Sequence, residues 1–280
     1  MSQTSQLAPT GYGLAAVLFW GTSDFLGGYA SRSANAMLVA TITNGSGFVA
    51  IILACSLTGA PFPDRASVIW GLLGGAFGGT ALAFFYRALA AGNMGLTAPI
   101  SALLSAAIPT VFTVVTEGWP HSSQVAGFVL AGIAIWLISR SEDGFSPKGL
   151  GLAFIAGLGF AGFYLCIRQA GNASALWLAA ASRTGALMCT ATLLIAQRAF
   201  RPFQSQSAAW AVVAGFLDVS GSVVFIRASQ TGRLDAAVIL ASLYPVVTVL
   251  LARIVLKEQF TRWKTVGMLA ALAAVPLITS

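Results

Sequence analysis

The chain is 280 residues long, with 57% hydrophobic residues, 8% charged residues and a net charge of +7. A soluble domain carries about 25% charged residues, and this chain has too few polar groups to cover a water-exposed surface of its size. The composition therefore excludes an ordinary soluble enzyme and a disordered chain, and it indicates a protein surrounded by lipid. The positive charge does not indicate a nucleic-acid partner, because most Lys and Arg residues lie between apolar runs.

Apolar runs follow one another along the whole chain. A membrane-spanning helix needs about 20 mostly apolar residues, and charges, Pro, Gly and Asn mark the breaks between runs. The first ten residues contain no Lys or Arg, so the first run is expected to be a retained span and not a signal peptide. The pattern predicts an all-α integral membrane protein with ten transmembrane helices: 11–30, 35–57, 67–89, 95–115, 123–140, 148–169, 174–197, 208–228, 235–256 and 262–278.

The two halves of the chain repeat each other. Five helices in each half is an odd number, so the second half is expected to insert upside down relative to the first. Inverted repeats of this kind are typical of secondary transporters, which bind their substrate near mid-membrane between the halves. We therefore predict two inverted five-helix repeats, 1–140 and 141–280, in one integrated transport domain. The matches lie at offsets of 138 to 141 residues: Gly13-Leu14-Ala15 with Gly151-Leu152-Ala153, Tyr86-Arg87-Ala88 with Ile226-Arg227-Ala228, Gly92 with Gly232, Glu117 with Glu258, and Gly127 with Gly267.

Several stretches carry a family resemblance: Phe19-Trp20-Gly21-Thr22-Ser23-Asp24-Phe25, Tyr86-Arg87-Ala88-Leu89 with Gly92, Ala98-Pro99-Ile100-Ser101-Ala102-Leu103, and Leu240-Ala241-Ser242-Leu243-Tyr244-Pro245-Val246. With Glu117, Gly127, Glu258 and Gly267, they resemble the EamA-type permeases of the drug/metabolite transporter superfamily, over nearly the whole chain. The resemblance implies ten helices, both termini on one side, a central cavity and alternating access. It implies small metabolites or amphipathic compounds as substrates, commonly moved outward, and a multi-pass location in the plasma (inner) membrane.

The basic residues suggest an orientation. Four Lys and Arg residues lie in connections on the side of the termini, and nine lie on the opposite side. The positive-inside rule then favours termini outside the cytoplasm, whereas the resemblance implies termini inside. We follow the charge distribution, and leave the orientation open to test.

Three ionisable residues lie deep in predicted helices: Asp24, Arg183 and Asp218. A charge at such depth costs about 2.5–3.5 kcal/mol on insertion scales, so it normally faces a cavity or a partner. Arg183 and Asp218 lie at similar depth on adjacent helices, which predicts either a structural ion pair or a pair that opens when substrate or a proton arrives. Asp24 has no partner at its depth. It is either a proton-exchanging group, because desolvation disfavours its ionised form, or a carboxylate in a wet cavity without a coupling role.

Other residues are candidates for the walls and hinges of the cavity. Prolines in helices 4 and 9 leave backbone carbonyl groups unpaired, so kinks are expected there. The serines of the two repeated motifs lie beside these prolines, and five aromatic residues lie near the same points. The candidates are Pro99, Pro245, Ser101, Ser242, Trp20, Tyr86, Tyr164, Trp177 and Tyr244.

The sequence favours transport over the alternatives. An intramembrane enzyme needs a nucleophile with a base, or a metal site, but the only histidine, His121, lies in a connection and the three cysteines are scattered. We predict no catalytic residue, metal or cofactor. A channel-like or facilitative uniporter without ion coupling remains an alternative to a proton-coupled transporter. Two deep Asp residues against one Arg favour cationic or zwitterionic small molecules as the substrate.

Overall fold

The structure, a computed structural model, describes residues 4–91, 94–139, 150–198, 204–257 and 261–278. Every regular element in these ranges is an α-helix, as the apolar runs predict. The helices are α1 (Thr4–Ala30), α2 (Ala36–Thr58), α3 (Arg65–Ala91), α4 (Met94–Glu117), α5 (Ser122–Ser139), α6 (Leu150–Gln169), α7 (Ala175–Ala196), α8 (Ser205–Thr231), α9 (Leu234–Ala241), α10 (Tyr244–Leu256) and α11 (Arg262–Ile278).

The ninth predicted segment, 235–256, is two helices and not one. α9 ends where the amide of Ser242 donates to the carbonyl of Val238 (2.8 Å) and the amide of Leu243 donates to that of Leu240 (3.1 Å). Pro245 then occupies the first turn of α10. Proline has no N–H to donate and fits only the first turn of a helix without distortion. The chain is therefore interrupted in the middle of this segment.

Length and hydropathy identify seven membrane spans among the described residues, fewer than the ten predicted. Two further apolar helices are shorter, Ser122–Leu137 and Thr265–Ile278. α1 falls below the criterion although it is long, because its middle carries polar residues, among them Ser23 and Asp24. Large apolar side chains cover the outside of the bundle, for example Leu57, Val115, Ile254 and Leu272. An outer surface of this kind fits a lipid environment.

Small residues bring α3 and α7 into backbone contact. A Cβ atom on Gly75 would lie 1.9 Å from the carbonyl oxygen of Ser182, and one on Gly79 would lie 2.5 Å from Ala186. Gly71, one turn earlier, faces Ala181 in the same way. This spacing allows the close approach that helices use for association in lipid. It also holds the middle of α7 against the centre of the bundle.

Helix contacts follow the internal repeat. The equivalent helices of the two repeats are α1 and α6, α2 and α7, and α3 and α8. The contact of α1 with α8 corresponds to that of α6 with α3. The contact of α2 with α8 corresponds to that of α7 with α3. The equivalent helices α5 and α11 pack against each other. Gly127, near the start of α5, faces Ile278 at the end of α11. These two helices therefore run in opposite directions, as expected for halves related by inversion.

Candidate functional site

The centre of the bundle contains a cavity of about 50 Å³. A water molecule needs at least about 10–15 Å³ of such space, so the cavity has room for water or a small ligand. Helices from both repeats form its wall, and the described residues that line it are Trp20, Asp24, Gly78, Gly79, Leu82, Phe160, Phe163, Tyr164, Ser182, Arg183, Ala186, Asp218, Ser222 and Tyr244.

Arg183 and Asp218 form an ion pair at one wall of this cavity. The guanidinium group also donates to Asn44 Oδ1 (3.0 Å) and to the hydroxyl of Ser222 (2.7 Å). The hydroxyl of Ser222 donates to the backbone carbonyl of Asp218 (3.0 Å). The Nε atom of Arg183 has no hydrogen-bond partner and is itself shielded from the cavity. Both terminal nitrogens of Arg183 are thus engaged, and its charge is compensated by Asp218.

Asp24 lies in the same cavity without a counter-ion. Only 6% of the residue is exposed, and its side chain makes no hydrogen bond or ion pair with any residue that the structure describes. Asp218, which would carry a like charge, lines the same cavity. Among the described residues of the lining Arg183 is the only cationic one, and it is paired, so this lining contains one carboxylate without a counter-ion.

Aromatic rings form the wall beside Asp24. Trp20 lies one helical turn before Asp24, and its indole N–H donates to the backbone carbonyl of Asp218 (3.2 Å). The ring centroid of Trp20 lies 6.1 Å from that of Tyr164 and 6.3 Å from that of Phe163. Phe225 packs behind them, 5.3 Å from Trp20 and 4.8 Å from Tyr164. Their mutual packing holds Trp20, Phe163 and Tyr164 in the wall of the cavity.

Four other candidates from the sequence are not among the described residues that line the cavity. Tyr86 and Ser101 are fully buried, and their hydroxyl groups have no hydrogen-bond partner. Ser242 is also buried, and its hydroxyl donates to the carbonyl of Val238 (2.7 Å). Pro245 is buried in the first turn of α10. Pro99 lies in the first turns of α4, and its side chain lies outside the part of the structure that is described.

Trp177 is not at the cavity, contrary to the prediction from the sequence. It lies in the first turn of α7, at one end of the bundle. Its indole N–H donates to the carbonyl of Ala60 (2.8 Å), and its ring packs against Phe62 at 4.9 Å. Trp177 therefore anchors the connection between α2 and α3, a role that fits an amphipathic ring at a membrane interface.

Sequence reasoning missed several residues of the site. Asn44 holds Arg183 from α2, and an amide in the middle of an apolar helix was a signal for such a role. Ser222 lies one turn after Asp218, so the helical spacing could have identified it. Phe163 and Gly78 carried no signal, because aromatic and small residues are common in all of these helices.

The end of the bundle that contains the start of α1 is held together across the repeats. Glu117, at the end of α4, pairs with Arg168 of α6 at 2.6 Å. Arg233 pairs with Asp235 at 2.9 Å and donates to the carbonyl of Gly118 at 3.1 Å. These contacts join the first repeat to the second at one side of the cavity, and we refer to them as the terminal-side contacts.

A duplicated helical bundle with an apolar outer surface and a charged cavity at its centre is the architecture of a polytopic membrane transporter. A model of the EamA-like transporter family matches the chain twice, over residues 10–140 and 147–280. The chain therefore belongs to the EamA-like transporter family and is a membrane transporter.

Comparison with solved structures shows the fold. A structure titled "Crystal structure of protein" superposes with a TM-score of 0.77 at 17% sequence identity, and the match covers 97% of this chain and 98% of that one. None of the curated proteins matches this chain significantly.

Proposed function

We propose that this protein is a secondary transporter that carries a small molecule by alternating access, with the central cavity as its binding site. The observation that carries the proposal is Asp24, a carboxylate without a partner in a cavity between two repeats. Burying a charge without a partner is costly. A structural role does not require such a group, whereas a site that takes up cargo or a proton does.

The proposal includes ten membrane crossings. α9 and α10 together form one span, Leu234–Leu256, and α1, α5 and α11 are the remaining crossings. The antiparallel contact between α5 and α11 supports two halves of opposite orientation. Inverted halves can exchange conformations with each other, and that exchange opens the cavity first to one side and then to the other.

The present geometry supports a conformation that is closed on one side. The cavity of about 50 Å³ is small for a metabolite, and the terminal-side contacts bridge the repeats at one end. Glu117 and Arg168 are partly exposed, so their pair costs little to break, on the order of 1 kcal/mol or less. A contact that is specific but weak suits a gate that opens in every transport cycle.

Asp24 is the proposed coupling site for protons. A proton neutralises its charge while the empty cavity changes sides, and its release accompanies cargo binding. The other titratable groups whose charges or hydroxyls act on this site are Asp218 on α8, Arg183 on α7, Tyr86 on α3, Tyr164 on α6 and Tyr244 on α10.

The test is tracer transport in liposomes that contain the purified protein. We expect Asp24→Asn to abolish uphill transport driven by a pH gradient, while exchange of cargo persists at a saturating concentration. Asp64→Asn is the matched control, because Asp64 lies outside the cavity and Asn caps a helix equally well. Unchanged proton-driven uptake in Asp24→Asn would exclude Asp24 as the coupling site. A preference for dicarboxylates or phosphates in a compound panel would contradict the charge of the cavity.

The basic residues support termini outside the cytoplasm, in the plasma membrane. A reporter fused to the C-terminus tests this orientation. We expect a fused alkaline phosphatase to be active. Cytoplasmic fluorescence of a fused fluorescent protein would show the opposite orientation of the termini.

A further inference from the structure

We infer that the central cavity binds a compact organic cation in preference to a zwitterion with the same cationic group. This inference deepens the proposed transport function and rests on it, because it names the cargo that the cavity selects. It follows from the pairing of Arg183 with Asp218, from the unpaired Asp24, and from the aromatic rings that line the same cavity.

The charge of the cavity selects against a carboxylate on the ligand. A zwitterion would need a free cationic group for its carboxylate and a free anionic group for its ammonium. Arg183 offers no free group: its terminal nitrogens are taken by Asp218, Asn44 and Ser222, and its Nε atom is shielded from the cavity. Asp24 alone is free. A ligand carboxylate would therefore be desolvated without a partner, next to Asp24 and Asp218.

The aromatic rings supply the second part of the recognition. Trp20, Phe163, Tyr164 and Tyr244 line the same cavity as Asp24. Aromatic faces attract cations that lie within about 6 Å of the ring, and they do so most strongly for Trp and in a desolvated site. A quaternary ammonium group has no N–H to donate, so a wall of ring faces with one carboxylate satisfies it without further hydrogen bonds.

The size of the cavity limits the cargo. The accessible space of about 50 Å³ is a few times the minimum that one water needs, about 10–15 Å³, so it favours a ligand with few heavy atoms. Tetramethylammonium, with one nitrogen and four carbons, is such a ligand. At Gly79 the wall is fixed by close packing, because a Cβ atom there would lie 2.5 Å from Ala186. Longer cations would have to displace rings or open the terminal-side contacts.

Equilibrium binding to the purified protein in lipid nanodiscs tests the inference without any transport. Four probes share a branched trimethyl group and differ in charge: tetramethylammonium, glycine betaine, tert-butanol and pivalate. We expect tetramethylammonium to bind at least about tenfold more tightly than the other three, because each of them lacks the net positive charge or adds a carboxylate. Equal binding of glycine betaine, or of tert-butanol, would overturn the inference.

Two substitutions locate the binding. We expect Asp24→Asn to weaken tetramethylammonium binding at least about tenfold, and Trp20→Leu to weaken it about threefold to thirtyfold. Asp64→Asn and Trp119→Leu are the matched controls and should leave binding unchanged, since Trp119 is exposed in a connection. Asp24→Glu keeps the charge and should bind within a few-fold of the unaltered protein, which separates loss of charge from misfolding. Unchanged affinity in a folded Asp24→Asn protein would refute the site.

The outcome for the cation is separable from the outcome for transport. Selective tetramethylammonium binding without any flux in liposomes would support the site and contradict the proposed function. Flux of neutral or anionic compounds without cation binding would support the transport function and contradict the cation site. If both proposals hold, exchange in Asp24→Asn requires a raised cargo concentration, whereas its loss of proton-driven accumulation persists at any concentration.

Discussion

Neutralising Asp218 should destabilise the protein through the charge that it leaves behind on Arg183. In Asp218→Asn the guanidinium group keeps its hydrogen bonds to Asn44 (3.0 Å) and Ser222 (2.7 Å) but loses its counter-charge. Removing one partner of a buried ion pair costs about 3–5 kcal/mol, because the other charge remains desolvated. We expect a loss of this size in the free energy of unfolding, and a similar loss for Arg183→Gln.

The double variant separates this explanation from a simple loss of packing. Two unit charges about 4 Å apart interact by about 4 kcal/mol at an effective dielectric constant of 20. We therefore expect Arg183→Gln with Asp218→Asn to cost no more than either single change, with a coupling energy of at least about 3 kcal/mol. Ser220→Ala is a matched control: Ser220 lies on α8 two residues from Asp218, is half-buried, and its hydroxyl donates to the carbonyl of Phe216 in the same helix. It should change stability by less than about 0.5 kcal/mol.

Reversible unfolding in mixed detergent micelles, followed by circular dichroism, measures these free energies. The reasoning fails if the two single costs simply add in the double variant, or if each is below about 1 kcal/mol. A small cost of Asp218→Asn that becomes large when Asp24 is also changed to Asn would have another meaning. It would show that Asp24 replaces Asp218 as the partner of Arg183, so that the pair is exchangeable within the cavity.

Two further predictions concern the scaffold. Gly75→Ala places a Cβ atom 1.9 Å from the carbonyl oxygen of Ser182. Helices α3 and α7 must therefore separate, and we expect a loss of about 1–3 kcal/mol in the free energy of unfolding. The control is Gly132→Ala, whose Cβ atom meets nothing within 4 Å and should not destabilise the protein; equal effects of the two changes would contradict this packing. Hydrogen bonds from the side chain and backbone of Ser67 lower the pKa of Asp64 at the start of α3, so its carboxylate stabilises the fold above the unfolded pKa and this contribution is lost as the pH falls through the lowered folded pKa. Asp64→Asn keeps the cap and should remove this part of the acid dependence in unfolding titrations, whereas an unaltered acid profile would assign it to other groups.

The class of fold could be predicted from the sequence because a lipid environment limits the structures that a backbone can adopt. Long apolar runs must be helices in a bilayer, since every backbone polar group needs a partner within its own segment. The repeat was visible because its Gly, Arg and Glu residues recur at nearly one offset. The helix break at Ser242 and Leu243 was predicted only as a kink at Pro245, because the pattern of apolar residues continues unchanged through the break.

The site was predicted less evenly than the fold. Deep charges identify themselves, because an ionisable residue in an apolar run needs a reason to be there, and Asp24, Arg183 and Asp218 do lie in one cavity. Aromatic residues gave no comparable signal. Trp20 and Trp177 look alike in the sequence, yet one lines the cavity and the other anchors a connection. Only the tertiary packing distinguishes the two positions.

The scaffold and its charges obey different symmetries, and this difference bears on mechanism. The helix contacts repeat between the halves, which is the symmetry that the proposed exchange of conformations requires. The charges do not repeat: the position equivalent to Asp218 is Gly78, which lines the same cavity, and the position equivalent to Asp24 is Gly162, which packs against Phe77. The described lining carries one free carboxylate and not two related ones, so in the proposed transport cycle the same group serves the site when it faces either side. In that proposal Asp24 holds a cation or a proton in turn, and this competition would link the movement of one to the movement of the other.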